Sequence, residues 1–478
     1  MTNNRRLFLK LAGLSGFGIA GGGIFKGFGS VPQGIDLFPS PTTGPGKQLF
    51  NMCGYAAPKL DTVRIGFIGL GQRGPEHLSN TSKLEGVEIK ALCDIRDESV
   101  LSAKKVLAGT AHKPVIYSGK KDEWKKVCEH KDIDLVFIAT PWDLHTPMAV
   151  YAMEQGKHVC IEVPAAVTVE ECWKLVETSE RTRKHCMMLE NCCYDFFELL
   201  TLNMARQGYF GEIVHGEGAY IHNLLGLNFD KSGYYDMWRL KENMTRNGNL
   251  YPTHGLGPIC QLMDINRGDK MDYLVSMSGK DFLMEKKAEE LAAKDSFFKP
   301  FTNHNYRGNM NTTCIYTHKG RTIMIQHDVT SPNIYSRIHK VSGTKGSALK
   351  YPEPAKISGS DGEKWVSEEQ MKALEKQYEP AIVKKIGELA KEVGGHGGMD
   401  FLMDWRMIDC LRNGLPLDQD VYDAALWSAV APLSEKSVAK RATSIDVPDF
   451  TNGSWKTNKP IDITLEKGGT TKANVSSN

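Results

Sequence analysis

Two stretches of this chain carry side chains whose types and spacing point to chemistry. In the first, Gly69-Leu70-Gly71-Gln72-Arg73-Gly74 follows the apolar run Val63 to Ile68 and opens a helix-compatible stretch. Glycines at these spacings allow a tight turn and a close backbone approach to a pyrophosphate, while the helix start offers it unpaired N–H donors. A second apolar run, Val87 to Leu92, delivers Asp94 about 20 residues after the last glycine, where a carboxylate accepts from adenosine ribose hydroxyls. The pattern predicts a bound dinucleotide, and the acid favours NAD over NADP. A glycine turn that binds nothing is the plainer alternative, and strand, turn, helix and acid together weigh against it.

The second stretch is Asn249-Leu250-Tyr251-Pro252-Thr253-His254-Gly255-Leu256-Gly257-Pro258. A phenol and an imidazole at i and i+3 face one substrate when a helix begins there, and such a pair can move protons. His254 also has a plainer reading, as a cap on the helix that runs on through Ile259, Leu262, Met263 and Ile265, and the residues alone favour that reading.

Both stretches need a scaffold, and the apolar periodicity supplies one. Asp134 to Thr140, Thr146 to Gln155, His158 to Glu162 and Met187 to Asn191 continue an alternation of strand and helix. It predicts an α/β Rossmann domain over residues 59–191, a parallel, doubly wound sheet with crossover helices. Ligands in such sheets sit beyond the carboxyl ends of the strands, which puts Pro141-Trp142-Asp143-Leu144-His145, Glu162-Val163-Pro164 and Asn191 around the nicotinamide end. Residues 192–450 mix β-prone runs, Gly211 to Ile221, Asp272 to Ser278, Thr312 to Tyr316 and Thr322 to Val329, with helical ones. They read as an α+β domain with an open, mainly antiparallel sheet, whose free face leaves room for a homo-oligomer contact. Lys345 to Ser367 reads as a surface excursion, Lys372 to Lys391 as charged and helical with a solvated face, and Met399 to Leu411 as a helix returning to the Rossmann side. The polar tail, residues 451–478, is expected to be loosely ordered.

A chain of 478 residues exceeds what one hydrophobic core organises, in keeping with two domains. Its 59 basic and 57 acidic residues nearly cancel, which argues against a nucleic-acid partner and for a small neutral ligand. Residues 1–30, with Arg5-Arg6-Leu7-Phe8-Leu9-Lys10 before a mild apolar run, resemble a twin-arginine export signal. Residues 31–58 follow as a linker. The expectation is an exported, periplasmic protein, handled by the twin-arginine machinery and without a stable membrane span. The cysteines number 11, an odd count without C-x-x-C spacing, so neither a disulfide scaffold nor a metal site is predicted. Cys160, Cys186, Cys192 and Cys193 read as small buried hydrophobes.

The dinucleotide fingerprint, the Ala139-Thr140-Pro141-Trp142 loop with His145, and the Glu162-Val163-Pro164 turn together resemble the glucose-fructose oxidoreductase superfamily. That superfamily usually reads Glu-Lys-Pro at this turn, its lysine serving a dehydrogenase proton relay; Val163, followed by Ala165-Ala166, departs from it. With Tyr220, Trp238-Arg239 and the run Asn249 to Pro258, the chain is similar to the bacterial α-N-acetylgalactosaminidases of glycoside hydrolase family 109. Beside Gly69 and Gly71, the resemblance implies NAD contacts from Gln72, Arg73, Asp94, Trp142, Asp143, Leu144, His145, Glu162, Val163, Asn191 and Tyr251. It implies a sugar, free or terminal on a glycan, held by Tyr220, Arg239, Tyr251, Pro252, Thr253, His254 and Tyr335. Arg239, after Tyr234, Tyr235 and Trp238, reads equally as a surface cation on an aromatic face. Tyr335 lies in Ser331 to Arg337, a short context that a solvent-facing strand end also produces.

The chemistry implied is hydride removal from sugar C3, which acidifies the C2 proton, followed by elimination at C1, water addition and return of the hydride. His254, Tyr251 and Tyr335 are the catalytic candidates in this scheme. Two rivals use the same residues: an exported NAD-dependent sugar dehydrogenase, and a non-catalytic sugar-binding protein that keeps NAD structurally.

Overall fold

The computed structural model describes residues 47–360 and 362–474. The twin-arginine motif lies outside these residues. The chain first builds a strand–helix alternation: β1 (Val63–Ile68), α1 (Gly74–Thr81), β2 (Val87–Asp94), α2 (Asp97–Val106), β3 (Val115–Ser118), α3 (Glu123–Glu129), β4 (Leu135–Ile138), α4 (Trp142–Glu154), β5 (His158–Ile161), α5 (Val169–Thr182) and β6 (Cys186–Met188). The six strands pair in parallel in the order β3-β2-β1-β4-β5-β6. The order reverses between β1 and β4, which opens a crevice at their carboxyl ends. All four residues of β4 and of β5 are buried, as a sheet covered on both faces requires.

After α6 (Phe196–Arg206), a second sheet forms from β7 (Ile213–Ile221), β8 (Met271–Ser278), β9 (Asn311–Thr317), β10 (Thr322–Asp328), β11 (Lys340–Gly343), β12 (Ser347–Leu349), β13 (Lys356–Ser358) and β14 (Ile445–Asp446). Its order is β13-β12-β11-β7-β10-β9-β8-β14, antiparallel except at β7–β10. Between β7 and β8 run α7 (Trp238–Thr245) and α8 (Thr253–Leu262), and α9 (Met284–Ala292) follows β8. The side chain that would otherwise separate α8 from β7 is missing on both partners: a Cβ at Gly218 would lie 2.3 Å from the Gly255 carbonyl. This close approach seats His254 at the end of the sheet.

The structure corrects two readings of the C-terminal half, those of Lys345 to Ser367 and of the tail. Lys345 to Ser367 is not only a surface excursion, because β12 and β13 extend the sheet edge there. The charged stretch forms two helices, α10 (Glu368–Gln377) and α11 (Ala381–Val393), divided at Pro380, which fixes φ and has no N–H to continue the first helix. The described part of the tail, residues 451–474, is tied down: Trp455 is buried, the Trp405 indole donates to the Thr471 carbonyl at 2.9 Å, and Ala473 bridges to Leu84. The expected return helix, α12 (Met399–Asn413), packs on α1 and β1, and α13 (Val421–Ala439) packs against α5 and β8, so the two sheets share one core. A smaller separate core, with Phe229, Met237, Leu240, Met284 and Phe298, underlies α7 and α9. All eleven cysteines are free, Cys160, Cys186, Cys192 and Cys193 buried among them. Among the described residues no helix is long and apolar enough to cross a membrane.

Candidate active site

One cavity of about 860 Å³ runs from the glycine turn to the end of the second sheet. Its Rossmann wall contains Gly69, Gly71, Gln72, Arg73, Asp94, Trp142, Asp143, Leu144, His145, Glu162, Val163 and Asn191; Tyr220, Arg239, Tyr251 and His254 face them from the second domain. Gly69 has φ +90°, and a Cβ there would meet the Ala139 carbonyl at 2.5 Å, so the turn excludes any other residue. A Cβ at Gly71 would meet only Arg96 Nη2, at 3.7 Å. Bare backbone thus faces open cavity ahead of the α1 N-terminus, which is the cradle a pyrophosphate needs. Asp94 ends β2; its two oxygens accept from the Leu70 N–H at 2.7 Å and the Arg96 N–H at 2.9 Å, fixing the turn against the ribose side. These residues fit NAD.

Under the turn lies a buried charge network. Arg73 donates to Glu162 at 2.8 Å and also pairs with Glu76 and Asp400. Glu162 accepts a second bond from His77 Nε2 at 2.9 Å, and His77 Nδ1 faces Asp404 at 2.9 Å. Burial pushes the His77 imidazole toward neutrality, but the charge and hydrogen bond of Asp404, with Glu162, outweigh it and lift its pKa to about 10. Glu162 is held well below the usual carboxylate range because Arg73 and His77 overcome its burial. Asp400 joins three groups: it accepts from Asn191 at 2.5 Å, lies 2.6 Å from His396 Nδ1, and takes both terminal nitrogens of Arg73 at 3.2 and 3.3 Å. His145 lines the cavity but turns both ring nitrogens to carbonyls, Pro164 at 2.7 Å and Thr140 at 2.8 Å. It ties the Thr140 loop to the turn after β5. Val163 is buried and its carbonyl accepts from the Trp142 indole at 3.1 Å.

At the second-domain end, His254 Nδ1 lies 2.7 Å from Glu190 Oε1. Glu190 is fully buried at the end of β6, and its carboxyl stays below the ordinary range because His254 overcomes the cost of burial. A carboxylate accepts only, so Nδ1 carries the hydrogen and Nε2 is left as an acceptor. The capping reading of His254 falls: Pro252 occupies the cap of α8, and no side chain caps that end. Tyr251 stacks near Tyr220 at 4.6 Å and Trp142 at 5.8 Å, and burial raises its phenol far above the ordinary value although Arg239 opposes this. Tyr251 therefore keeps its proton at neutral pH and acts as a donor. The Arg239 guanidinium stands 4.9–5.5 Å from the rings of Tyr251, Trp142, Tyr234 and Trp238 and donates to the Tyr234 hydroxyl at 2.7 Å. Among the described residues no carboxylate pairs with it; besides Tyr234 it hydrogen-bonds the Tyr220 side chain, so phenols and ring faces steady its charge at the cavity wall.

Three expected sugar contacts stand back from the cavity wall. Pro252 and Thr253 are buried beneath it, and Tyr335 sits behind His222, ring to ring at 5.0 Å. Arg337 reaches the Tyr335 hydroxyl at 3.4 Å while held by Asp195 at 2.5 Å and Glu198 at 2.6 Å. Residues that the sequence did not single out take wall positions: His222, bonded to the Tyr220 hydroxyl at 3.1 Å, and His396. His396 is half exposed in Gly394-Gly395-His396-Gly397-Gly398, where all five residues have positive φ. A histidine flanked by glycine pairs was the signal available for it. Among the described residues, two trios bring their donor atoms within 4.8 Å of one another, Glu76–His396–Asp400 and Glu190–Cys192–His254. Arg73 already serves as the cation of the first, and burial keeps the Cys192 thiol of the second protonated.

A parallel sheet with order 3-2-1-4-5-6, a glycine turn at its switch point and a second, open-sheet domain closing the crevice define a two-domain NAD-binding protein of the oxidoreductase type. Residues 63–190 match the oxidoreductase family with the NAD-binding Rossmann fold, and residues 194–457 match the glycosyl hydrolase 109 C-terminal domain. The chain is 48% identical over 442 residues to glycosyl hydrolase family 109 protein 1 of Bacteroides fragilis, covering 89% of this chain and 93% of that one. An α-N-acetylgalactosaminidase of the same species is 51% identical over 411 residues, covering 85% and 96%. In fold it is similar to a levoglucosan dehydrogenase complexed with NADH, with TM-score 0.62 at 16% identity over 81% of this chain and 100% of that one. The chain belongs to glycosyl hydrolase family 109: it is an NAD-dependent glycoside hydrolase.

Proposed function

We propose that this enzyme removes terminal α-linked N-acetylgalactosamine, by transient oxidation and re-reduction of the sugar at the His254 end of the cavity. The observation that carries the reading is that His254, backed by the buried Glu190, and Arg239 line the same cavity as the glycine turn and Asp94. Gly69, Gly71 and Asp94 would hold NAD, which would supply a hydride acceptor and donor for the sugar ring. His254 Nε2 takes a substrate proton, and its imidazolium is steadied by the Glu190 carboxylate at Nδ1. Tyr251 donates a hydrogen bond from its protonated phenol. Arg239, at the cavity wall and oriented by four aromatic faces, donates to ring hydroxyls or the acetamide. His396, half exposed at the wall and bonded to Asp400, is the cavity's solvent-facing imidazole. Tyr335 supports the pocket from behind His222.

A dehydrogenase reading lacks its relay, because Val163 is buried where the superfamily carries lysine, and the cavity's lysines, Lys120 and Lys121, lie beyond Asp94 at the far end. Export through the twin-arginine route fits the same chemistry: that route carries folded proteins, NAD is loaded in the cytoplasm, and a recycled cofactor needs no periplasmic supply. The test is a panel of p-nitrophenyl α-glycosides. The reading expects the N-acetylgalactosaminide to be cleaved with the highest kcat/KM; a preference for an α-galactoside or α-glucoside without the acetamide overturns it.

A further inference from the structure

We infer that the second domain supplies part of the dinucleotide site: the segment Ser232–Tyr235 closes over the adenosine and pyrophosphate half and retains the cofactor. The inference rests on the NAD reading of the cavity and not on the choice of sugar. Ser232, Gly233, Tyr234 and Tyr235 line the same cavity as Gly71, Gln72 and Asp94. Two contacts join this segment to the Rossmann domain across the cavity mouth. The Gln72 side-chain amide donates to the Gly233 carbonyl at 3.2 Å, directly beside the glycine cradle, and the Arg96 guanidinium stands 5.5 Å from the centre of the Tyr235 ring.

The segment has the build of a separate flap. Asp230 shapes its entry, accepting from the Ser232 N–H at 2.8 Å and the Ser232 hydroxyl at 2.7 Å. Its exit passes through Asp236 and Met237, both at φ 50°, into α7. It is anchored on the small core of Phe229, Met237, Leu240 and Met284, which is distinct from the core shared by the two sheets. At the nicotinamide end the same region meets the Rossmann wall through Trp238 and Trp142, with ring centres 4.9 Å apart. A dinucleotide held at Gly71 and Asp94 thus lies beneath a span pinned at both ends, and its release requires the Gln72–Gly233 and Arg96–Tyr235 contacts to part. An exposed cation–π contact and one hydrogen bond are each weak; acting together over a ligand, they slow release about tenfold.

The experiment loads the full-length protein with isotope-labelled NAD and follows loss of label after dilution into unlabelled NAD, with no sugar present. Tyr235 is half exposed, so Tyr235→Ala does not threaten the fold, and a thermal melt checks this. Tyr235→Ala and Arg96→Ala are each expected to speed release about fivefold, the double variant is expected to be no faster than either alone, and Tyr235→Phe is expected to match the parent. Unchanged release in Tyr235→Ala, or strictly multiplicative effects in the double variant, overturns the inference. Because no turnover is read, it fails or stands separately from the hydrolytic reading.

Discussion

Replacing Glu190 by glutamine isolates what the buried carboxylate does for His254. Glu190 is fully buried and absent from the cavity wall, so it acts as a positioning residue through His254 Nδ1 at 2.7 Å. Hydrogen bonds to charged groups contribute about 1.5–3 kcal/mol against about 0.5–1.5 for neutral ones. Glu190→Gln keeps the shape and the chance of a neutral bond, and removes the charge that steadies an imidazolium. The difference, about 1.4 kcal/mol, corresponds to roughly tenfold in rate. Glu190→Ala also loses the bond itself and leaves a gap, for about a hundredfold. The loss belongs in kcat, since no sugar contact is removed, and KM should stay within about twofold. The assay is steady-state hydrolysis of p-nitrophenyl α-N-acetylgalactosaminide, with bound NAD and Tm measured on each variant. A Glu190→Gln enzyme with normal NAD content and parental kcat would refute the role given to the pair.

Three further outcomes follow from the geometry. His77 is an imidazolium in the fold up to about pH 10 but titrates near 6.5 when unfolded; its contribution to stability is therefore complete below about pH 6.5 and is lost as pH rises through 10. Plots of Tm against pH should show that alkaline decline in the parent, and His77→Gln should be less stable at neutral pH by about 3 kcal/mol or more with a flatter decline; equal slopes contradict the assignment. Arg239→Lys removes the planar fork from the aromatic box, and KM should rise about tenfold with a smaller change in kcat; a fall in kcat alone would place Arg239 in the chemistry and not in sugar binding. Asp400→Asn breaks the charged link between His396 and Arg73, and both NAD retention after dialysis and kcat should fall several-fold; loss of kcat with undiminished NAD would confine Asp400 to His396.

The Rossmann half was legible because its signals are local. The run ending at Ile68, the turn Gly69 to Gly74 and Asp94 are contiguous pieces of one unit, and the positions beyond the strand ends follow from strand direction. Partners contributed from far along the chain were not legible. Glu190 pairs with His254 across 64 positions, and Asp400 and Asp404 meet Arg73 and His77 across 327. No local pattern announces such pairs, so a helix cap appeared the simpler role for His254. Composition misled where the backbone does the work: Lys345 to Ser367 has the Gly, Pro and Ser of a loop, yet its few ladder residues, such as Ala348 and Ile357, are buried against β11 and β12. The tail was misread because its few apolar residues, the buried Trp455 and the core-packed Ile461, Ile463 and Leu465, are scattered among polar ones, and the rest of its docking uses backbone carbonyls and a bridge.

The central claim is that one bound NAD is oxidant and reductant within each turnover. The direct measurement incubates the enzyme with p-nitrophenyl α-N-acetylgalactosaminide in D2O, following phenol release, NADH absorbance and deuterium at C2 of the released sugar. Phenol release with deuterium at C2 and no accumulating NADH is the predicted result. Steady accumulation of NADH with an intact glycosidic bond, or hydrolysis without any deuterium at C2, would contradict it.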